Sequence, residues 1–546
     1  MGNMAICELS FIRCRIVKAN VLIGSIYFIF GSGTSSALDW RFTPMLSASE
    51  IFSDNLNLSE NDKKSGFVSE VSPGLSLFGS SPWSSFNLNY RMQGLYNAGG
   101  REALDVNNQL NMNSVYQAVR NRLFIETASS ISQQNISNSF ITTDNISGNG
   151  HRTEAKTFSI SPYWTPQFGQ YANGYAKVGY NRSSFDNLNG PVVSPFIDQI
   201  SDSEMFSRQA RLSSGSYFNR INWGLNYSSQ EQTRANGQDV RFEQYQGDVR
   251  YFFSQKYSVF GLAGFENNDY QSVNAVRNGF FYTAGATWNP NRWLSFEAGY
   301  GNNKRVSVRF SPSGNFDSSV SYQHRSVGLN VGSSWNADLH YRIQQASLGF
   351  NYNQETTTYQ QLLVEQGFFK RDSFGNLTQI TPQDRILLDQ SGRAYVQSGA
   401  TLTPLLLNPF NQLNDVIISK RGTLSFNYQT GKSNYNASVF NERRSYELRS
   451  GEDMSYGISG GWQWQFEPRL SFYLQPTWMH TDGLLTTSTR YDVSLGVTRG
   501  VLVNLGRPLI MNTRLELRHI NQSTDNSQFG GGYIENRATA NLNVQF

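Results

Sequence analysis

The sequence predicts an all-β protein, namely a transmembrane antiparallel β-barrel of about 22 strands, with a range of roughly 18 to 24. Three observations predict this fold class. Apolar and polar residues alternate along many segments, aromatic residues make up 14% of the chain, and only 16% of its 546 residues are charged. Successive side chains of a strand point to opposite faces, so each segment has one face suited to lipid and one suited to water.

The amino terminus has the pattern of an export signal. A basic region precedes the apolar run VLIGSIYFIF, and small residues then lead to a cleavage site between Ala37 and Leu38. A membrane anchor is the less favoured alternative, because a spanning helix needs about 20 apolar residues. We therefore expect residues 1–37 to be a signal peptide and residues 38–546 to form a single barrel domain.

Cysteine content and charge exclude several kinds of site. Cys7 and Cys14 both lie within the expected signal peptide, so we expect the mature chain to have no disulfide bond and no thiolate metal site. The formal net charge is +4, which is too small to indicate nucleic-acid binding. We expect no cofactor, no bound metal and no nucleic-acid partner.

The last segment, YIENRATANLNVQF, predicts the strand that closes the barrel. This predicted assembly-signal strand begins at Tyr533, and polar residues alternate with an apolar set predicted to face lipid: Ala538, Ala540, Leu542, Val544 and Phe546. Closure is required because hydrocarbon offers no partners for an open strand edge. An even number of strands returns both ends to the periplasm. The terminal Phe546 resembles the signal read by the bacterial barrel-assembly machinery, which we expect as a partner besides outer-membrane lipid.

The connections alternate between short turns, such as residues 467–469, and long polar loops. This alternation is typical of outer-membrane barrels, which have short periplasmic turns and long extracellular loops. The longest connection runs over about 354–415 and contains the apolar stretch LTPLLLNPF at 402–410. An exposed loop does not explain that stretch, so we predict that it packs into or over the barrel mouth. The first predicted strands follow the signal closely, so we expect no N-terminal plug domain.

Charged residues near the carboxyl terminus predict the character of the lumen. In LIMNTRLELR, the side chains of Arg514, Glu516 and Arg518 share the polar face and are predicted luminal charges. Such charges suit a selective constriction. An embedded hydrolase would instead need a nucleophile and an acid–base pair held together. The five histidines are isolated in the sequence and specify no such group, so we expect no enzymatic activity.

Several of these segments resemble one known family. They are LDWRFTPMLSASEIFSDNLNL, EVSPGLSL, ATWNPNRWLSFEAGYG, ASLGFNYNQETTTYQQLLVEQG and YIENRATANLNVQF, and they include Trp40, Pro44, Asp54, Asn55, Pro73, Gly74, Glu535, Asn536 and Arg537. Together they resemble the PEP-CTERM system-associated outer-membrane proteins, whose genes accompany exosortase and exopolysaccharide loci. The resemblance implies a location and a genomic association, and it brings no established biochemical activity with it.

One expected function and two alternatives follow. We expect a passage or scaffold for the export of surface polysaccharide or protein, with polysaccharide or periplasmic export components as partners. This expectation rests on the resemblance, which is an associational argument. A general diffusion or uptake porin and a surface adhesin or structural barrel remain as alternatives. In each case the expected location is the outer membrane of a Gram-negative cell.

Overall fold

A computed structural model describes most of the chain. The described residues are 39–98, 104–135, 141–142, 144–148, 152–186, 201–270, 277–329, 331–366, 369–371, 377–379, 386–388, 394–396, 410, 415–484, 486–504, 508–525 and 532–546. The expected cleavage site at Ala37 and Leu38 lies outside these residues.

Twenty-four antiparallel strands of the described chain form one closed sheet. In chain order they are β1 Asp39–Ser53, β2 Gly66–Ser80, β3 Ser84–Asn97, β4 Leu104–Val119, β5 Leu123–Asn135, β6 Arg152–Trp164, β7 Ala172–Asp186, β8 Ser203–Ser214, β9 Ile221–Arg234, β10 Val240–Phe252, β11 Tyr257–Glu266, β12 Gly279–Asn291, β13 Leu294–Gly301, β14 Lys304–Ser313, β15 Phe316–Arg325, β16 Gly332–Arg342, β17 Ala346–Thr358, β18 Val416–Gln429, β19 Ser433–Tyr446, β20 Glu452–Glu467, β21 Leu470–Asp482, β22 Thr487–Asn504, β23 Pro508–Thr524 and β24 Tyr533–Gln545. A two-residue strand, Gln167–Phe168, lies beside β7. The predicted fold class is confirmed, and the strand number equals the upper limit of the predicted range.

The first and last strands close the barrel. β1 pairs with β24 in antiparallel register from Met45 opposite Gln545 to Ser53 opposite Arg537. Beyond β24, the backbone N–H of Phe546 donates to the carbonyl oxygen of Pro44 at 3.0 Å. Each barrel strand therefore has a hydrogen-bonded neighbour on both sides, as a sheet in hydrocarbon requires.

The wall of the barrel is apolar outside and polar inside. On β23, Leu515 and Leu517 are 64% and 55% exposed on the outer face, while the charged residues that alternate with them point inward. On β24, Ile534 is 40% exposed and its neighbour Glu535 is fully buried. An apolar outer face around a polar interior is the arrangement of a transmembrane β-barrel.

Turns and loops separate to the two ends of the barrel. Short turns such as 253–256 and 292–293 lie at one end, which also carries both ends of the described chain. Longer connections such as 54–65 and 359–415 lie at the other end. The separation by length is incomplete, since the loop-end connections 302–303 and 483–486 have two and four residues and the turn-end connection 215–220 has six.

The longest connection contains regular structure of its own. It begins with one helix, α1, Tyr359–Gln366, and includes four short strands, Phe369–Arg371, Leu377–Gln379, Ile386–Leu388 and Ala394–Val396. The strand Ile386–Leu388 lies against β3, although the connection starts at β17 on a distant part of the wall. Among the described residues, no helix has the length and apolar character needed to cross a membrane.

Candidate functional site in the barrel lumen

Part of the loop between β5 and β6 lies inside the barrel. We call its described residues, 141–142 and 144–148, the inner segment. Ile141 is fully buried and packs against Phe440 of β19 and Met479 of β21, whose side chains point inward. One end of the inner segment therefore contacts the wall far from the strands that flank the loop.

The other end of the inner segment contacts the wall near β1 to β3. There Ile146 packs against a cluster of buried side chains, Ile51, Leu56, Val68 and Leu95. The amide of Asn145 donates to Gln93 Oε1 on β3 at 2.8 Å. The inner segment thus has contacts on widely separated strands of the lumen.

Three arginines and three carboxylates join the inner segment to β22, β23 and β24. This luminal ion cluster consists of Asp144 from the inner segment together with Arg490, Asp492, Arg518, Glu535 and Arg537 from the wall. All six side chains are largely buried. Three positive and three negative groups balance one another, as buried charges require.

Asp144 lies between two of these arginines. Its Oδ2 atom is 2.6 Å from Arg537 and 3.2 Å from Arg518. Arg537 also binds Glu535 at 2.7 Å, and Arg518 donates to both oxygens of Asp492. Each arginine therefore has a carboxylate partner on the wall in addition to Asp144.

The backbone of the inner segment is held by the same wall. The carbonyl oxygen of Ile141 accepts hydrogen bonds from Arg490 at 2.5 Å and from the Tyr533 hydroxyl at 3.1 Å. The backbone N–H of Ile141 donates to Gln522 Oε1 at 3.3 Å. Ser147 donates to Glu535. These contacts satisfy backbone groups that would otherwise be buried without partners.

The charge of Asp144 depends on its arginine neighbours. Burial alone would raise the pKa of this carboxyl group, but Arg537 and Arg518, together with the backbone N–H of Ile146, hold that pKa below its usual range. Asp144 is therefore ionised at neutral pH, and its attachment to the wall is ionic.

A second element enters the barrel from the longest connection. The hydroxyl of Thr358 donates to Gln232 Oε1 on β9 at 2.9 Å. Directly after it, Tyr359 and Leu362 of α1 join a buried cluster with Ala155 of β6, and with Ile417 and Tyr446. α1 therefore packs on the inner face of the wall.

The apolar stretch 402–410, which was predicted to pack into the barrel mouth, is described only at Phe410. That side chain is 1% exposed, and the Arg444 guanidinium lies 4.1 Å from the centre of its ring. The other residues of the stretch lie outside the described residues.

The predicted luminal charges have two different environments. Arg518 belongs to the luminal ion cluster. Arg514 and Glu516 instead pair with each other and with Tyr473 of β21. The Arg514 Nε–H donates to the Tyr473 hydroxyl at 2.5 Å, and the guanidinium lies 4.7 Å from the centre of the Tyr473 ring. Alternation along β23 places all three side chains on its inner face.

Five of the residues that carry the family resemblance lie together at the loop end of the seam between β1 and β24. Asn536 donates to Asp54 through its backbone N–H at 2.7 Å and its amide at 2.6 Å. Asn55 donates to the carbonyl oxygen of Ile534 at 2.9 Å. The flanking residues Glu535 and Arg537 belong to the luminal ion cluster, so this seam adjoins the inner segment.

Among the four described histidines, His480 has both a hydroxyl and a carboxylate neighbour, Thr489 at 2.7 Å and Asp482 at 3.2 Å. His324 lies 3.2 Å from Ser333. Ser333 is on the outer face of the wall, like Trp335 two residues later. His340 pairs with Asp338 at 2.5 Å on the inner face. Within the described ranges, no group of three or more His, Cys, Asp or Glu side chains is placed to hold a metal ion.

Comparison with known proteins finds similarity in overall form only. No model of a protein family matches the chain, and no curated protein sequence matches it. Similar solved structures include the FrpB iron transporter from Neisseria meningitidis, with a TM-score of 0.44 and 10% identity over 92% of this chain and 81% of that one. The siderophore receptor PirA from Pseudomonas aeruginosa gives a TM-score of 0.39 and 10% identity over 93% and 80%. PirA from Acinetobacter baumannii gives 0.41 and 11% over 92% and 80%. No functional conclusion follows from likenesses at this level.

Proposed function

We propose that this outer-membrane β-barrel is a passage closed by its own inner segment, and that it serves the export of surface polysaccharide or protein. The observation that carries the proposal is the ionic attachment of Asp144 to Arg518 and Arg537. A role as a passage or scaffold needs no catalysis, and we propose no enzymatic activity.

The chemistry of this attachment suits a reversible closure. Buried ion pairs gain little net stability, because removing both charges from water costs about as much as their attraction returns. Apolar packing holds the two ends of the inner segment at Ile141 and Ile146, and the charged contacts lie between them. The luminal ion cluster holds the inner segment in one position, and water and the wall carboxylates keep the arginines satisfied when the segment leaves.

The direction of transport is inferred from the family resemblance, which is an associational argument. Glu535 and Arg537, two of the residues that carry this resemblance, contact the inner segment directly. This supports a link between the resemblance and the closed lumen. Export of surface polysaccharide or protein, in the company of an exosortase-type sorting system, is the function we propose on that basis.

A clean deletion tests the proposed function. We expect secreted polysaccharide or surface protein to fall severalfold in the deletion strain, with outer-membrane permeability to a small hydrophilic dye unchanged. Expression of the intact chain from a plasmid should restore secretion. Normal secretion of both polysaccharide and surface protein in the deletion strain would contradict the proposal.

A diffusion porin is the second candidate. It is favoured by inward amide side chains that remain exposed in the lumen, among them Gln463, Gln475 and Asn512. For a porin, the same deletion would lower permeability to the dye and leave secretion unchanged. The two readouts of the deletion strain therefore separate the two candidates.

A further inference from the structure

A cavity occupies the turn end of the lumen, beyond the luminal ion cluster. It has a volume of about 540 Å³, is partly open, and is lined by residues of β1 to β3 and β20 to β24. We call it the luminal chamber. Its volume lies within the range of roughly 300–1,000 Å³ found for small-molecule sites. Along β23, Arg514 in the chamber wall and Arg518 in the ion cluster are about 13 Å apart, since a strand rises about 3.3 Å per residue.

Most of the residues that line the luminal chamber carry an amide or a hydroxyl group. Representative lining residues are Ser47, Gln463, Gln475, Asn512, Asn541 and Asn543. Gln463, Gln475 and Asn512 are exposed to the lumen. Amides offer both donors and acceptors, and hydroxyls do the same. The chamber therefore presents many hydrogen-bonding groups of both kinds at short spacing.

The arginine side chains that point into the luminal chamber are already paired. Arg499 also lines it, but strand alternation along β22 places that side chain on the outer face. Arg91 binds Glu70, and Arg514 binds Glu516. A charged ligand would have to compete with these carboxylates or be buried without a countercharge, which is costly. The chamber is therefore matched to an uncharged ligand rich in hydroxyl groups.

We infer that the luminal chamber binds neutral saccharide units, which makes a neutral polysaccharide the substrate class of the passage. This inference rests on the proposed function and specifies its substrate. Hydroxyl groups of a sugar both donate and accept hydrogen bonds, so they complement an amide-lined wall. The position of the chamber at the turn end places a bound saccharide on the predicted periplasmic side of the inner segment.

Binding of two defined oligosaccharides tests the inference. Isothermal titration of the purified full-length barrel in detergent would compare maltohexaose, which is neutral, with hexagalacturonate, which is acidic. The test variant is Gln475→Ala with Asn512→Ala. The control variant is Gln246→Ala, since Gln246 is an inward amide of β10 outside the chamber. Heat-modifiable migration on gels would confirm that each variant is folded.

We expect maltohexaose to bind the wild-type barrel and the Gln246→Ala variant equally. Affinity for maltohexaose should fall roughly tenfold or more in the double variant, because two hydrogen bonds are lost. The inference would be overturned if the wild-type barrel does not bind maltohexaose, or if it binds hexagalacturonate more tightly. It would also be overturned if the folded double variant binds maltohexaose as tightly as the wild type does. Failure of the proposed function has a different signature, namely normal secretion in the deletion strain with maltohexaose binding intact.

Discussion

Asp144 and Arg537 are 393 positions apart in the sequence and 2.6 Å apart in the barrel. Arg537 is on the strand that closes the sheet, whereas Asp144 comes from a loop on another part of the wall. Their ion pair therefore couples the closing seam of the barrel to the segment that lies in its lumen.

Neutralising Asp144 should weaken the closed state. In Asp144→Asn, Arg518 and Arg537 keep their wall carboxylates and lose the attraction that holds the inner segment. Loss of one partner of a buried pair costs about 3–5 kcal/mol when a charge is left alone, and we expect a smaller cost here, about 1–2 kcal/mol. The open probability of single channels in planar bilayers should rise roughly tenfold or more.

The matched control for this variant is Glu60→Gln, which changes the same chemical group on the exposed loop between β1 and β2. Its gating should match the wild type. Identical open probability in Asp144→Asn and wild type would show that the ion pair does not hold the lumen closed.

Asp415, at the end of the longest connection, should give a measurable pH dependence. Burial raises the pKa of this carboxyl group to about 6, even though the backbone N–H groups of Val416 and Leu448 bind it. The folded protein therefore holds this proton more tightly than the unfolded chain does. This group's contribution to the free energy of unfolding falls as the pH rises from about 4 to 6, and it stays low above that.

The Asp415→Asn variant keeps an acceptor for both N–H groups and cannot ionise. We expect it to be more stable than the wild type above pH 6 by about 2–3 kcal/mol. The difference should shrink as the pH is lowered toward 4. Urea unfolding in lipid vesicles at several pH values measures it. A stability difference between the two proteins that does not change with pH would contradict a raised pKa for Asp415.

Neighbouring residues of β9 should differ in their tolerance of a charge. Leu225 is 55% exposed on the outer face, and Asn226 follows it on the inner face. Leu225→Arg places a charge in lipid and should lower the free energy of unfolding by roughly 1–3 kcal/mol, depending on depth. Asn226→Arg places the same group in a polar lumen and should have a smaller effect. Equal costs at both positions would contradict the assigned faces.

The terminal Phe546 should matter more for assembly than for stability. Its side chain is 60% exposed, and its backbone N–H completes the pairing with β1. We expect Phe546→Ala to lower the amount of assembled barrel in the outer membrane severalfold. The purified, refolded variant should unfold at nearly the wild-type urea concentration.

Phe253→Ala is the control for this assembly defect, since Phe253 is an aromatic residue 65% exposed in a turn at the same end of the barrel. Its assembly should be normal. If the refolded Phe546→Ala variant is less stable than the wild type by enough to explain the lower yield, Phe546 does not act as a recognition signal.

The sequence predicts the wall of the barrel because the relevant pattern is local. Leu515 and Leu517 alternate with Arg514, Glu516 and Arg518 within five consecutive residues, and the period of a strand places them on opposite faces. The same reasoning extends from strand to strand. It gives about 22 strands where the structure has 24, because the sequence alone leaves the ends of individual strands uncertain.

The interior of the lumen is less predictable because it depends on distant pairs. Nothing near Asp144 in the sequence distinguishes it from the other polar residues of its loop, and its partners come from the last two strands. The apolar residues Ile141 and Ile146 are the one local signal, since an exposed polar loop has little use for them. The partition of Arg514 and Arg518 between two environments likewise depends on Tyr473 and Asp492, which lie on other strands.

Cysteine labelling of the inner segment tests the central claim most directly. With both native cysteines inside the expected signal peptide, a single introduced cysteine can be probed on intact cells with a membrane-impermeant maleimide. Ile141 is fully buried, and Glu60 is exposed on an outer loop. We predict that Ile141→Cys stays unlabelled until the protein is unfolded, while Glu60→Cys labels at once. Equal labelling of both cysteines on intact cells would contradict an inner segment held within the lumen.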